Sequence, residues 1–211
     1  MGAHITAQTK SLCGHLDLFS FSSPGRVGRF EDRLYATSTL CGSCRAHISE
    51  LVMPQGGGYY KLNLPQLAGR PRSVTWAKSI RLTHIRYLGP KMLALKKSTD
   101  PMAAAALAAF EMLFKVTDAQ FWIDGREFAY DSAWAASEIE HLLRKRYMSM
   151  HASSLSAYCY WMRIDPSVIE TARKAVDAPD ALFNREPGAV EENAASLLPH
   201  QPSVFDESIF I

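Results

Sequence analysis

Cys41-Gly42-Ser43-Cys44 places two thiols three residues apart with a glycine between them, and Cys13-Gly14-His15 places a thiol and an imidazole in a second short turn. A glycine-bearing Cys-x-x-Cys can curl so that both sulfurs face one point, which is what a tetrahedral zinc ion asks of half its ligands. Cys13, His15, Cys41 and Cys44 would complete the four, with His47 as an alternative to His15. Ordinary buried thiols and a redox pair remain open beside structural zinc. The redox alternative needs a strand-to-helix context that the flanking residues do not announce.

Other residue types that do chemistry are present without the spacing that chemistry requires. Gly56-Gly57-Gly58 is not followed by the Gly-Lys-Ser/Thr of a phosphate loop, and the chain carries neither a Gly-x-Ser-x-Gly elbow nor a His-Glu-x-x-His helix. Glu140-His141 and Asp124-Gly125-Arg126 are the closest charged groupings, and surface ion pairing accounts for both more economically than acid-base catalysis. A binding protein is therefore expected before an enzyme, with a thiol- or zinc-dependent enzyme as the remaining catalytic alternative.

Charge is segregated along the chain. The 211 residues carry a net charge of +2, yet Leu51 to Thr99 holds nine basic residues and no carboxylate, while Ile164 to Ile211 holds nine acidic residues against Arg173, Lys174 and Arg185. A cationic stretch of this kind is a candidate footprint for nucleic acid or for an acidic protein surface. Arg70, Arg72, Lys78, Arg86, Lys91, Lys96 and Lys97 are its candidate contact residues. Trp76 lies among them and could stack on a base, although Trp76 and Trp122 are both expected in the core.

The elements that must position these groups are mainly helical. Residues 1–58 show little helical periodicity and end in the turn-rich Pro54-Gln-Gly-Gly-Gly58, so a small irregular or β module and a hinge are expected there. Tyr59 to Leu64 suggests a short strand. Val74, Ala77, Ile80, His84 or Ile85, and Leu88 recur at helical spacing, predicting an amphipathic helix capped by Ser73 and stopped by Gly89-Pro90. Asp100-Pro101 opens a second, alanine-rich helix to about Lys115. Thr117 or Asp118 caps a short helix ending at Gly125, and Asp131 or Ser132 starts another through Tyr147. Leu155 to Met162 fits strand or helix alike, and Asp165-Pro166 starts a final helix to about Val176. The expectation is a mainly α protein: a Cys/His module over 1–58, a compact helical domain over 59–177, and an acidic, proline-containing, extended C-terminal arm over 178–211. The opening residues lack the apolar core of an export signal and no run approaches a membrane span, so a cytoplasmic location without membrane contact is expected.

Leu64-Pro65-Gln66-Leu67-Ala68-Gly69 followed by Trp76-Ala77-Lys78-Ser79-Ile80-Arg81, and then Phe121-Trp122-Ile123-Asp124-Gly125-Arg126, resembles the LPxLxG, WAxxIR and WWIDNR-like motifs of small proteins carried by phages, plasmids and other mobile elements. Those proteins often have a cysteine knuckle upstream, as Cys41 to Cys44 does here. The resemblance covers roughly residues 41–126, with Gly125 where asparagine is usual, and it implies no established activity. Taken with the cationic stretch, the leading expectation is a non-enzymatic accessory protein of a mobile element that acts by binding a host protein or nucleic acid, as with inhibitors of bacterial defence systems, including anti-CRISPR proteins; a DNA-binding transcriptional or plasmid-maintenance regulator is the alternative. Within the motifs, Trp76 and Ile80 share a helical face, and Arg81 is expected to pair with Asp124.

Overall fold

The computed structural model describes residues 5–21, 25–53, 57–144 and 154–176. It is mainly helical. A two-stranded antiparallel hairpin, β1 (Ile5–Lys10) and β2 (Leu16–Phe21), is followed by eight helices: α1 (Gly25–Ser38), α2 (Gly42–Val52), α3 (Pro71–Lys97), α4 (Pro101–Phe114), α5 (Ala119–Asp124), α6 (Ser132–Leu143), α7 (Ala157–Ile164) and α8 (Pro166–Val176). The expected N-terminal module thus holds two helices as well as its hairpin. The residues expected to form most of the hinge, 54–56, and the C-terminal arm from 177 onward lie outside the described residues.

α4 is the centre of the body. Asp100 caps it by accepting the Met102 amide at 2.8 Å, and Pro101 takes the first helical position, where a missing N–H costs nothing. Its Ala103, Ala105, Ala106 and Ala109 are fully buried and give neighbouring helices room to approach. α3, α6, α7, α8 and α2 all pack on it. Around its C-terminal half an aromatic cluster forms: Phe114 stacks on Trp122, Phe110 stacks on Trp134, and Tyr130 meets Trp134 edge-on. The indole N–H groups of Trp122 and Trp161 donate to the Val116 and Met112 carbonyls at 3.1 and 2.9 Å, so both rings are buried without an orphaned donor.

α3 departs from expectation at both ends. Its cap is Arg70, with Pro71 first in the helix, and Ser73 lies inside the first turn. The helix also runs through Gly89-Pro90 to Lys97. A proline crowds the Cβ of the residue before it, and Gly89 has none, so this pair interrupts one hydrogen bond without forcing the chain out of the helix. Buried Leu88, Met92 and Leu95 on either side hold the rod together. Residues 59–64 form no strand, and Tyr60 anchors them by donating to Glu111. Leu155 to Met162 resolves to helix, with Ser156 capping α7 by accepting from the Cys159 amide at 3.1 Å. α6 ends at Leu143, because Arg144 turns inward; the remainder of the expected helix, to Tyr147, lies outside the described residues.

The LPxLxG loop is fastened from two sides. Ala68 pairs with the start of α5 through Ala68 N–H to Thr117 O (2.7 Å) and Ala119 N–H to Ala68 O (2.9 Å). Gly69 has φ +143°, and a Cβ there would stand 3.1 Å from the Ala119 Cβ, so both conformation and space require glycine. Arg81 is buried and donates to the Pro65 carbonyl at 3.0 Å. It makes no ion pair with Asp124, whose carboxylate instead accepts from the Gln120 amide at 2.7 Å. The motif arginine therefore holds the loop of its own motif, since that loop's carbonyl is the acceptor within its reach.

Candidate metal centre and cationic face

The hairpin loop 11–15 brings Cys13 and His15 together. Ser11 donates to the His15 carbonyl and Gly14 to the Ser11 carbonyl, both at 2.9 Å, with Gly14 at φ +81° making the turn. Leu12 donates to the Thr39 carbonyl at 2.8 Å and so presses this loop against the residues that lead into α2. Cys41 caps α2, its sulfur accepting from the Cys44 amide at 3.4 Å, and the Cys41 amide in turn points at the Cys13 sulfur at 3.4 Å. Amides directed at sulfur, at the positive end of a helix, favour the thiolate that a metal binds.

Cys13, His15, Cys41 and Cys44 converge, with all four ligand atoms within 4.8 Å of one another. His15 Nδ1 stands 3.6 Å from Cys41 Sγ and 3.3 Å from Cys44 Sγ. Sulfur and nitrogen ligands around one tetrahedral zinc stand about 3.5 Å apart, so these distances already match two edges of such a site. The group can hold one metal ion. Hydrogen bonds from Cys41 and Cys44 pull the Cys13 thiol well below its ordinary pKa, and the same sharing pushes Cys44 up. His47 is not part of the set: its Nε2 stands 2.7 Å from Asp100 Oδ2 at the start of α4, which leaves His15 as the imidazole ligand.

The centre is tied to the body through Glu140, which the sequence presented as half of a surface pair. Glu140 is buried, and one of its oxygens accepts from the Leu40 amide at 2.8 Å and from Arg45 at 2.5 Å. Its other oxygen faces Arg144 at 3.3 Å, and Arg144 donates on to the Ser38 carbonyl at 2.8 Å. Leu40 and Arg45 flank the Cys-x-x-Cys turn, so α6 grips that turn from both sides. His141 beside Glu140 is buried too, stacked on Tyr158. Asp17 completes the support by accepting from the Gly42 amide at 2.9 Å. The Leu40 and Arg45 partners of this glutamate lie about a hundred residues away, so its burial has no local sequence signal.

Between hairpin, α1 and α2 lies a cavity of about 200 Å³ lined by Thr9, Asp17, Phe19, Tyr35, Thr39 and Arg45 among others. Its charged groups are committed, Asp17 to Gly42 and Arg45 to Glu140.

The cationic candidates divide. Arg70, Arg72, Lys78, Arg86, Lys96 and Lys97 are exposed, and none of them forms an ion pair among the described residues. Lys91 is only 4% exposed, its ammonium lying 3.9 Å over the Tyr87 ring one turn earlier, so it does not belong to the contact face. Trp76, placed with the core by its aromatic type, is 50% exposed, whereas Trp122, Trp134 and Trp161 are buried. Tyr87 and Leu82 are exposed as well. At 100° per residue, Trp76, Thr83 and Tyr87 run along one edge of the stripe that Arg72, Ser79 and Arg86 share. Sequence periodicity found this helix, but not which of its aromatics face outward: α5 packs on α3, and it is the His84 ring that meets Trp122, at 6.0 Å between centroids.

Among the described residues no helix is long and apolar enough to cross a membrane. Comparison with protein-family models, with curated proteins and with solved structures found nothing that matches the chain.

Proposed function

We propose that this protein acts by binding nucleic acid along the outer face of α3, with the Cys/His centre as a structural staple rather than a reaction site. The observation that carries the proposal is a long helix face with exposed cations, exposed aromatics and no carboxylate from Leu51 to Thr99. Guanidinium and ammonium groups supply phosphate contacts, and Trp76 and Tyr87 offer ring surfaces on which unpaired bases can stack. The tied-up cavity charges and a ligand set already filled by four protein atoms both support a non-catalytic role, since a catalytic zinc keeps one position open. Together with the motif resemblance, these features support the reading of a cytoplasmic accessory protein of a mobile element, a regulator in the first instance.

A second proposal, a host-protein target such as a component of a defence system, is favoured by one observation: Leu82 is half exposed on the same face, and an aliphatic anchor suits a protein interface better than a phosphate backbone.

Anisotropy titrations with a labelled oligonucleotide across salt concentrations separate the two. Nucleic-acid binding through about five phosphate contacts gives a log-log slope near −3.5 for a single strand and about −4.5 for a duplex. Replacing Arg72, Lys78 and Arg86 by Glu together is expected to weaken binding by at least about a hundredfold, because three contacts are lost and three like charges are introduced. Circular dichroism should stay unchanged, since all three side chains are exposed. Retained affinity in this variant would reject α3 as the interface.

A further inference from the structure

The strongest unused feature of the molecule is the relation between that face and the end of the chain. Residues 177–211 carry seven carboxylates against a single cation, Arg185, and four of the seven form the adjacent pairs Glu191-Glu192 and Asp206-Glu207. The second pair sits between Val204-Phe205 and Ile209-Phe210-Ile211. α3 presents the complement: cations that form no ion pair among the described residues, with Trp76, Leu82 and Tyr87 exposed between them.

We propose that the acidic segment 177–211 docks on the exposed face of α3 and competes there with nucleic acid, its carboxylates standing in for phosphates and its terminal apolar residues covering the exposed aromatics. Length permits it. The fifteen residues from Asp177 to Glu191 span up to about 50 Å, beyond the roughly 45 Å breadth expected of a folded chain of this size. Tethering supplies a high local concentration, so even weak charge pairing competes with a ligand arriving from solution. Salt dissociates the segment, because exposed ion pairs are screened within about 8 Å at physiological ionic strength.

Because the competition rests on α3 being the nucleic-acid face, the test reads docking and competition separately. Trp76 is the exposed tryptophan, with the other three buried, so quenching by the neutral solute acrylamide reports chiefly on that face. In the 211-residue chain, Glu191→Gln, Glu192→Gln, Asp206→Asn and Glu207→Gln are introduced together; all four lie outside the described residues. Expected is a rise of about threefold in the quenching constant at low salt relative to wild type, with a similar rise in wild type when salt is raised from roughly 0.05 to 0.5 M. Quenching that is equal in both proteins and insensitive to salt would overturn the docking. In the oligonucleotide titration the same variant is expected to bind about tenfold more tightly at low salt. If quenching shifts while neither protein binds oligonucleotide, the docked segment stands and nucleic acid is rejected as the ligand of α3. If both bind equally tightly and quenching does not shift, the binding face stands and the competitor is rejected.

Discussion

Glu138 shows what burial does to a single ionisable group in this fold. It lies wholly buried on α6, accepts the Tyr158 amide at 2.8 Å at the start of α7, and has its pKa pushed up to about 7 by burial, against opposing hydrogen bonds from Ser156, Tyr158 and Ala157. Since the folded value lies above the ordinary 4.5, the fold favours the protonated form. The stabilisation it brings is complete below that ordinary value and is lost as pH rises through about 7. Glu138→Gln, which cannot ionise, is expected to lack this loss. Urea unfolding of both proteins should show wild type losing on the order of 3 kcal/mol relative to the variant between mildly acidic and mildly alkaline pH. A difference that stays constant with pH would show that Glu138 is not the titrating group. Nothing in Ser137-Glu138-Ile139-Glu140 marks two of four residues as buried carboxyls, whereas Cys13, His15, Cys41 and Cys44 were legible because metal chemistry constrains residue type and local spacing alike.

At the scale of elements, signals carried by adjacent residues were readable and those decided by distant contacts were not. Asp100-Pro101, Asp118 and Asp131 each announce a helix start through a carboxylate that accepts the following amides, and each does so in the fold. Gly89-Pro90 looked like a stop because local rules place it there, yet packing on both sides overrode them. α4 combines both kinds of information: its alanines promise close approach, and the neighbouring helices take it up. Ala109→Leu should overfill that contact and destabilise the protein by about 1 to 3 kcal/mol. Ala104→Leu, on the exposed side of the same helix, should change stability by less than about 0.5 kcal/mol. Denaturant midpoints of the two variants check the contrast, and equal effects would mean that α4 is not the close-packed axis.

For the molecule as a whole, the Cys/His centre joins a thin hairpin to a thick helical body. β1 and β2 have little core of their own: Leu16 and Leu18 point outward, and Phe19 and Phe21 meet mainly each other and Tyr35. A two-stranded ribbon is marginal alone, so its position depends on the four ligands and on the grip of Glu140. One zinc per chain is expected by elemental analysis. Its removal by a chelator should lower the melting temperature while leaving most of the far-ultraviolet helical signal, because the aromatic core around α4 contains no ligand. Loss of more than about half of that signal would show that the body, too, needs the metal. The mainly helical character was legible in the residue pattern; the joining of module to body by Glu140, Arg45 and Arg144 was not, since it spans about a hundred residues.

Pro90 gives the long rod a particular mechanical character. With no amide to offer the Arg86 carbonyl, the ladder of α3 is broken one turn beyond Arg86, after which Lys91, Met92 and Leu95 enter the core. The helix therefore lacks one ladder bond between a first stretch, buried along Ala77, Arg81, His84 and Leu88, and a second, buried along Met92 and Leu95. Any bend in this rod is expected at the turn that holds Pro90, where the ladder is incomplete.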